Sequence, residues 1–280
     1  MNSLTSFHIR QAKGQRKLAM LTAYDHLSAA LLDAAGLDML LVGDSLGMAV
    51  MGRADTISVS LEEVLHHCRA VCSAPRQALV VADLPFMSYE AGPDKALESA
   101  GRIFKEGGAR AIKLEGGQQY LPQVRALVQA GIPVMAHIGL TPQRVAALGG
   151  FRVQGKSAHS AALLLEDALA LQEAGCFAVL MECVPQELAA RITHELAVPT
   201  IGIGAGPDCD GQVLVFHDVM GISPGKPFRF VKHFAKLHPL LAEAAAAYVQ
   251  EVRTGHFPGP EHSISMSEQE HEDFVKLYGG

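Results

Sequence analysis

Short apolar runs recur along this chain, each ended by an acidic or basic side chain and followed by a stretch with helical spacing. They read Leu40-Leu41-Val42-Gly43-Asp44-Ser45, Leu79-Val80-Val81-Ala82-Asp83, Ala111-Ile112-Lys113-Leu114-Glu115-Gly116, Val134-Met135-Ala136-His137 and Val179-Leu180-Met181-Glu182. Runs of this length and residue type read as strands. Eight candidate strands start near Leu18, Met39, Leu79, Ala111, Val134, Ala178, Thr200 and Val213. Helical patterns at 26–36, 60–74, 94–107, 120–130, 161–174 and 186–196 lie between most of them. Gly-containing turns such as Ala34-Ala35-Gly36-Leu37, Glu106-Gly107-Gly108-Ala109, Gln129-Ala130-Gly131-Ile132 and Glu173-Ala174-Gly175-Cys176 separate helix from strand. Glycine there accepts the left-handed conformation that ends a helix and turns the chain back.

Unbroken alternation of strand and helix predicts a single (β/α)8 TIM barrel of parallel strands over residues 1–255, with a short N-terminal cap, rather than an open doubly wound sheet. The seventh unit is irregular, because 207–212 is too short for a helix. An Ala-rich helix from about Leu237 to Val252 is expected to close the fold. Its small residues suit packing on the barrel and close approach to a helix of a second subunit equally well. After Gly255 the chain turns polar, and 256–280 reads as a surface extension whose acids supply solubilising charge.

Composition narrows the partners. The 280 residues fit one α/β barrel, a fold that takes about 250. Apolar residues at 49% and charged residues at 19% fit an ordinary soluble globular protein. A net charge of −6, with no basic run interleaved with aromatics, argues against nucleic acid. No apolar stretch reaches the length of a membrane span. The five cysteines are odd in number and mostly lie within apolar patterns, which suits buried thiols in a reducing, cytoplasmic compartment. Residues 1–17 carry Arg10, Lys13, Arg16 and Lys17 without an acid, faintly like a transit peptide, but a first strand at Leu18 leaves too little to remove.

In a parallel barrel, side chains at the C-terminal ends of several strands converge on one mouth. Asp44, Asp83 and Glu115 would there supply hard oxygen ligands suited to Mg2+ that keeps several waters and a chelating substrate. Each alone could instead be a helix N-cap or a surface charge. Lys113 and Glu115, two apart on one strand, share a face. Lys113 could hold a substrate carboxylate or form an internal ion pair, and His137 could donate to an oxyanion or serve structure only. Glu182 ends an apolar strand, where loss of water favours the neutral carboxyl and makes the carboxylate a better general base. A helix cap is the alternative, weakly favoured by Pro185.

Other motifs carry less. Gly202-Ile203-Gly204-Ala205-Gly206-Pro207 fails the dinucleotide fingerprint, since Pro207 stands where the third glycine belongs and no typical helix follows. Glycines there let backbone approach a ligand. The loop 149–156, with glycines at both ends and Arg152 and Lys156 within it, reads as a lid or as a mobile surface loop. His66, His67, Cys68 and Cys72 make only a partial zinc set and read as a helix with buried thiols.

Taken together, the motifs resemble the ketopantoate hydroxymethyltransferase family. The matching stretches are Met20-Leu21-Thr22-Ala23-Tyr24-Asp25, Leu41-Val42-Gly43-Asp44-Ser45-Leu46-Gly47-Met48, Ala82-Asp83-Leu84-Pro85-Phe86-Met87, Lys113-Leu114-Glu115-Gly116-Gly117, His137-Ile138-Gly139-Leu140-Thr141-Pro142-Gln143, Glu182-Cys183-Val184-Pro185 and Ile201-Gly202-Ile203-Gly204-Ala205-Gly206. The resemblance implies a (β/α)8 barrel that uses Mg2+ to pass a one-carbon unit from 5,10-methylenetetrahydrofolate to 3-methyl-2-oxobutanoate, giving 2-dehydropantoate in pantothenate biosynthesis. It implies metal around Asp44, Asp83 and Glu115, and the oxo acid on Asp44, Ser45, Asp83 and Lys113 with help from His137. Glu182 is then the proton acceptor for a Mg2+-stabilised enolate, and a homo-oligomer, typically a decamer, is expected. The segment 225–229 and the tail beyond His262 depart from the family form. Two rivals remain at this level. A phosphoenolpyruvate mutase or isocitrate lyase type barrel also holds a 2-oxo acid on Mg2+, although no Cys lies in the 149–156 loop where an isocitrate lyase carries one. A non-catalytic barrel would not need Lys113 and Glu182, yet both are present.

Overall fold

The computed structural model describes residues 3–74, 76–223, 225 and 227–279. Lys226, within the departing segment 225–229, lies outside the described residues. Eight parallel strands close into a barrel in sequence order: β1 (Leu18–Thr22), β2 (Met39–Val42), β3 (Leu79–Asp83), β4 (Ala111–Glu115), β5 (Val134–Gly139), β6 (Ala178–Glu182), β7 (Thr200–Ile203) and β8 (Gly211–Leu214). The helices are α1 (Ser6–Gln11), α2 (His26–Ala34), α3 (Leu46–Ala49), α4 (Leu61–Cys72), α5 (Pro93–Arg102), α6 (Leu121–Gln129), α7 (Val145–Leu148), α8 (Ala158–Glu173), α9 (Gln186–Glu195), α10 (Phe216–Val219), α11 (Leu237–Thr254) and α12 (Glu268–Tyr278). The expected (β/α)8 architecture is thus the observed one.

Strand alternation sorts the apolar residues into two layers. Met20, Met39, Leu41, Leu79, Val81, Ala111, Met135, Leu180 and Ile201 fill the barrel interior. Leu40, Val42, Val80, Ala82, Ile112, Leu114, Val134, Ala136, Val179 and Met181 face outward to the helices. Because both faces are covered, β3 and β4 are buried at every position, which is why they read as continuous apolar runs. Ile9 and Ala12, at the end of α1, join the interior cluster with Leu18 and Met20. Helix starts are locally encoded: Asp25 caps α2 through the Ser28 N–H, and Ser60 with Glu63 forms a reciprocal capping box on α4.

Three features differ from the sequence reading. Strand β8 begins at Gly211 rather than near Val213, because Gly211 and Gln212 pair with Leu18 and Ala19 of β1 despite carrying little apolar signal. Between β7 and β8 the described chain forms no helix, as its shortness requires. Helix α11 does not close the fold: none of its residues is buried, and Leu240, Leu241, Tyr248, Val249 and Val252 are exposed. The extension beyond Gly255 ends in α12, also without a buried residue. Among the described residues no helix is long and apolar enough to cross a membrane.

Candidate active site

Continuing the alternation to the C-terminal strand ends places Asp83, Lys113, Glu115, His137 and Glu182 inward, in phase with Val81, Ala111, Met135 and Leu180 below them. Asp44 has the opposite parity to Leu41, but β2 has ended at Val42 and the turn re-aims it. Its N–H donates to Asp83 Oδ2 at 3.0 Å. A side chain on Gly43 would meet Ser45 Oγ at 2.9 Å and Asp83 Oδ2 at 3.3 Å, so glycine is what lets the turn lie so close to Asp83. Ser45 immediately precedes α3 as its N-cap residue, with its hydroxyl 2.8 Å from that of buried Tyr24.

Lys113 Nζ lies 3.0 Å from Asp83 Oδ1, 3.8 Å from Glu115 Oε1 and 3.2 Å from His137 Nδ1. His137 bridges two carboxylates, with Nδ1 3.3 Å from Glu115 and Nε2 3.3 Å from Glu182. The Asp83–Lys113 and His137–Glu182 contacts are ion pairs off the line of a good hydrogen bond, which leaves Asp83 Oδ1 and His137 Nε2 without an aligned partner. All six side chains face one cavity of about 680 Å3, which Ser45 also lines.

Burial and mutual repulsion set the charges. Desolvation, then the Asp83 and Glu115 carboxylates, push Asp44 well above the usual carboxylate range. Desolvation also raises Asp83, against the opposing pull of Lys113. Desolvation would raise Glu115 too, but His137 and Lys113 outweigh it and the group is lowered. Burial opposes the Lys113 cation, yet Asp83, Glu115 and Asp44 over-compensate and raise it. Burial and Lys113 disfavour protonated His137, but Glu115 and Glu182 reverse this and lift it to about 9. The ring is therefore imidazolium at neutral pH.

Glu182 corrects one expectation. Its side chain keeps 17% exposure, so it sits at the cavity wall and is not sealed in apolar surroundings. Next to it Cys183 has a left-handed backbone, φ 48°, that turns the chain out of β6.

Several residues that sequence reading gave no role belong to the site. Gln143 is buried; its amide contacts Asp44 and its N–H contacts Glu115. Tyr89, also buried, places its hydroxyl between Gln143 and the Glu115 carbonyl. Tyr89 sits in a loop after β3 and Gln143 in the single 3-10 turn Pro142–Arg144 after β5, where only their nearness to a strand end could have flagged them. Phe151, Arg152 and Val153 of the suspected lid line the same cavity, as do Phe228, Arg229 and Phe230. Gly204, with φ +62°, leaves room for Phe230, whose ring carbon would lie 2.9 Å from an added side-chain atom. The zinc alternative finds no support: Cys68 and Cys72 pack under Gly107 and Gly108, and His67 Nδ1 donates to the Tyr24 carbonyl at 2.6 Å.

Comparison with known proteins assigns the chain. The profile described as ketopantoate hydroxymethyltransferase matches residues 3–260. The chain belongs to the ketopantoate hydroxymethyltransferase family. The resemblance read from the motifs is thereby borne out. A protein of Oleidesulfovibrio alaskensis named 3-methyl-2-oxobutanoate hydroxymethyltransferase is 58% identical over 278 residues, covering 99% of this chain and 96% of the relative. Another of that name, from Nitratidesulfovibrio vulgaris, is 57% identical over 272 residues, covering 97% and 89%. As a member of the ketopantoate hydroxymethyltransferase family the chain is an enzyme, a transferase, and the non-catalytic reading falls. In fold it is similar to a 2,3-dimethylmalate lyase of the PEP mutase/isocitrate lyase superfamily, with TM-score 0.57, 18% identity and coverage of 98% and 99%. That likeness accounts for the barrel shared with the rival enzymes.

Proposed function

We propose that this chain transfers a hydroxymethyl group from 5,10-methylenetetrahydrofolate to 3-methyl-2-oxobutanoate, giving 2-dehydropantoate in pantothenate biosynthesis in the cytoplasm, with Mg2+ at the barrel mouth and Glu182 as proton acceptor. The observation that carries the reading is the convergence, in a chain of this family, of three carboxylates, Lys113, His137 and Glu182 on one cavity.

The donor set fits a magnesium ion. Asp44 and Asp83 are carboxylates pushed toward protonation chiefly by burial, and Asp83 Oδ1 has no aligned hydrogen bond. A divalent cation would relieve both. Among the described residues no three His, Cys, Asp or Glu side chains already stand as a group that could hold a metal ion. Asp44, Asp83 and Glu115 would hold Mg2+ together with waters and substrate oxygens, which this ion keeps in its shell. When bound it supplies Lewis-acid polarisation of the substrate's oxo and carboxylate oxygens, worth several kcal/mol.

The chain's own residues do the rest. Lys113, fixed between Asp83 and Glu115, presents a cation to the substrate carboxylate, and the Ser45 hydroxyl, held by Tyr24, adds a hydrogen bond. Glu182 takes the C3 proton, a contribution of about 10²- to 10⁴-fold. C3 bonds to the folate-borne methylene carbon as one folate C–N bond breaks, and a water supplies the hydroxyl oxygen as the second breaks. The two folate nitrogens take up the C3 proton and the other water proton to leave tetrahydrofolate. Imidazolium His137 balances Glu115 and Glu182. The cavity, lined also by Phe151, Phe228 and Phe230, leaves space for the folate. The exposed apolar residues of α11 support assembly as a homo-oligomer, with a decamer expected from the family.

Incubation with both substrates and Mg2+ should give 2-dehydropantoate by mass spectrometry. Chelation with EDTA should stop it and added Mg2+ restore it. Absence of product sinks the assignment, and an undiminished rate after chelation sinks the metal.

A further inference from the structure

Gln143 is 3% exposed and none of the chemistry above uses it. Its Nε2 donates to Asp44 Oδ2 at 2.8 Å and to the Leu84 carbonyl at 3.0 Å. Its Oε1 accepts from the Tyr89 hydroxyl at 2.8 Å, and its backbone N–H donates to Glu115 Oε2 at 3.0 Å. Both amide hydrogens therefore face acceptors while the amide oxygen faces a hydroxyl. A flipped amide would set its oxygen against a carboxylate and a carbonyl, so the network admits one orientation. Through this residue the loop after β5 ties together the ends of β2, β3 and β4.

We propose that Gln143 is a positioning residue for the metal, locking the Asp44 carboxylate through Oδ2 so that its other oxygen is kept for the cation, and fixing Glu115 through Oε2 while Glu115 Oε1 faces His137 and Lys113. The inference rests on the reading of Asp44 and Glu115 as metal-holding groups. A carboxylate tied at one oxygen has lost its rotation before the cation arrives, so the ordering cost is already met in the resting fold. Tyr89 extends the lock: it is 1% exposed, and its hydroxyl lies 3.0 Å from the Glu115 carbonyl. Outer groups of this kind are worth about 10- to 100-fold in metal affinity. Gln143→Met keeps length and removes both amide donors without adding charge. Tyr89→Phe removes only the hydroxyl that fixes the amide.

The test is Mn2+ binding to the full-length native chain, Gln143→Met and Tyr89→Phe without substrate, read from the electron paramagnetic resonance signal of free Mn2+. Circular dichroism checks the fold. Gln143→Met should bind Mn2+ about 10- to 100-fold more weakly, Tyr89→Phe should be weakened in the same direction, and kcat should fall more than KM rises. Native-like affinity in folded Gln143→Met overturns the proposal. If that variant does not fold, Tyr89→Phe decides, and affinity equal to native overturns it. Absence of Mn2+ uptake by the native chain refutes the metal reading and this inference with it. Native uptake with unaltered variants refutes the positioning role alone.

Discussion

Replacing Lys113 by Met keeps the aliphatic stem and removes the cation that three buried carboxylates share. In the native fold Nζ is 3.0 Å from Asp83 and 3.8 Å from Glu115, with these side chains 1–4% exposed. At an effective dielectric constant of about 20 the gross attractions are about 5–6 and about 4 kcal/mol. Desolvation of the ammonium offsets much of this. Breaking a buried pair by deleting one partner costs about 3–5 kcal/mol, because the carboxylates stay behind without their counter-charge. For a chain of this size that corresponds to a fall in Tm of about 10 °C. The loss should depend on pH. Asp44 and Asp83 already have folded pKa values above the ordinary range, so their protonated forms favour the fold at low pH, and that stability disappears as pH rises through the folded values. Without Lys113 the effect grows, so the deficit should be larger at pH 8 than at pH 5. Thermal unfolding followed by circular dichroism at both values measures it. A Tm for Lys113→Met within 2 °C of native at pH 8, on the order of the 1 kcal/mol resolution of such shifts, would refute the charge argument.

His137 supplies a second pH signature. Its folded pKa is raised to about 9, so its stabilising charge is fully present below its unfolded value of about 6.5 and is lost as pH rises through about 9. The native Tm should therefore fall between pH 7 and 10 more steeply than that of His137→Asn, with a difference of about 3 kcal/mol; parallel curves would remove the imidazolium from the account. Gly139 has φ +90°, and a methyl there would lie 2.3 Å from the Glu182 carbonyl oxygen. Gly139→Ala should displace Glu182 and lower kcat on the order of 10²-fold while the chain still folds, and native kcat would show that Glu182 tolerates movement.

Most of the barrel was legible because its strands are short, covered on both faces and separated by glycine turns. Lys113 and Glu115 could be placed on one inner face from their spacing alone, and the register set Asp83 beside Lys113 and His137 beside Glu115. Strand β8 was misplaced by two residues because Gly211 and Gln212 take their strand conformation from pairing with β1, not from their own side chains. Helix α11 misled for the opposite reason: its Ala-rich pattern is intrinsic, but a pattern does not say which surface it faces, and within one chain it faces none. Gln143 and Tyr89 were invisible as site residues because polar side chains in the short connections after strands read as solvated, and only tertiary structure turns them inward. The partial exposure of Glu182 was equally hidden, since it depends on how the mouth is covered.

The most direct test follows the C3 proton itself. Proton NMR of 3-methyl-2-oxobutanoate in D2O, with enzyme and Mg2+ but no folate, should show loss of the C3–H signal in the native chain. The exchange should slow by about 10²- to 10⁴-fold in Glu182→Gln. Exchange in Glu182→Gln at the native rate would contradict the assignment of that carboxylate as the base.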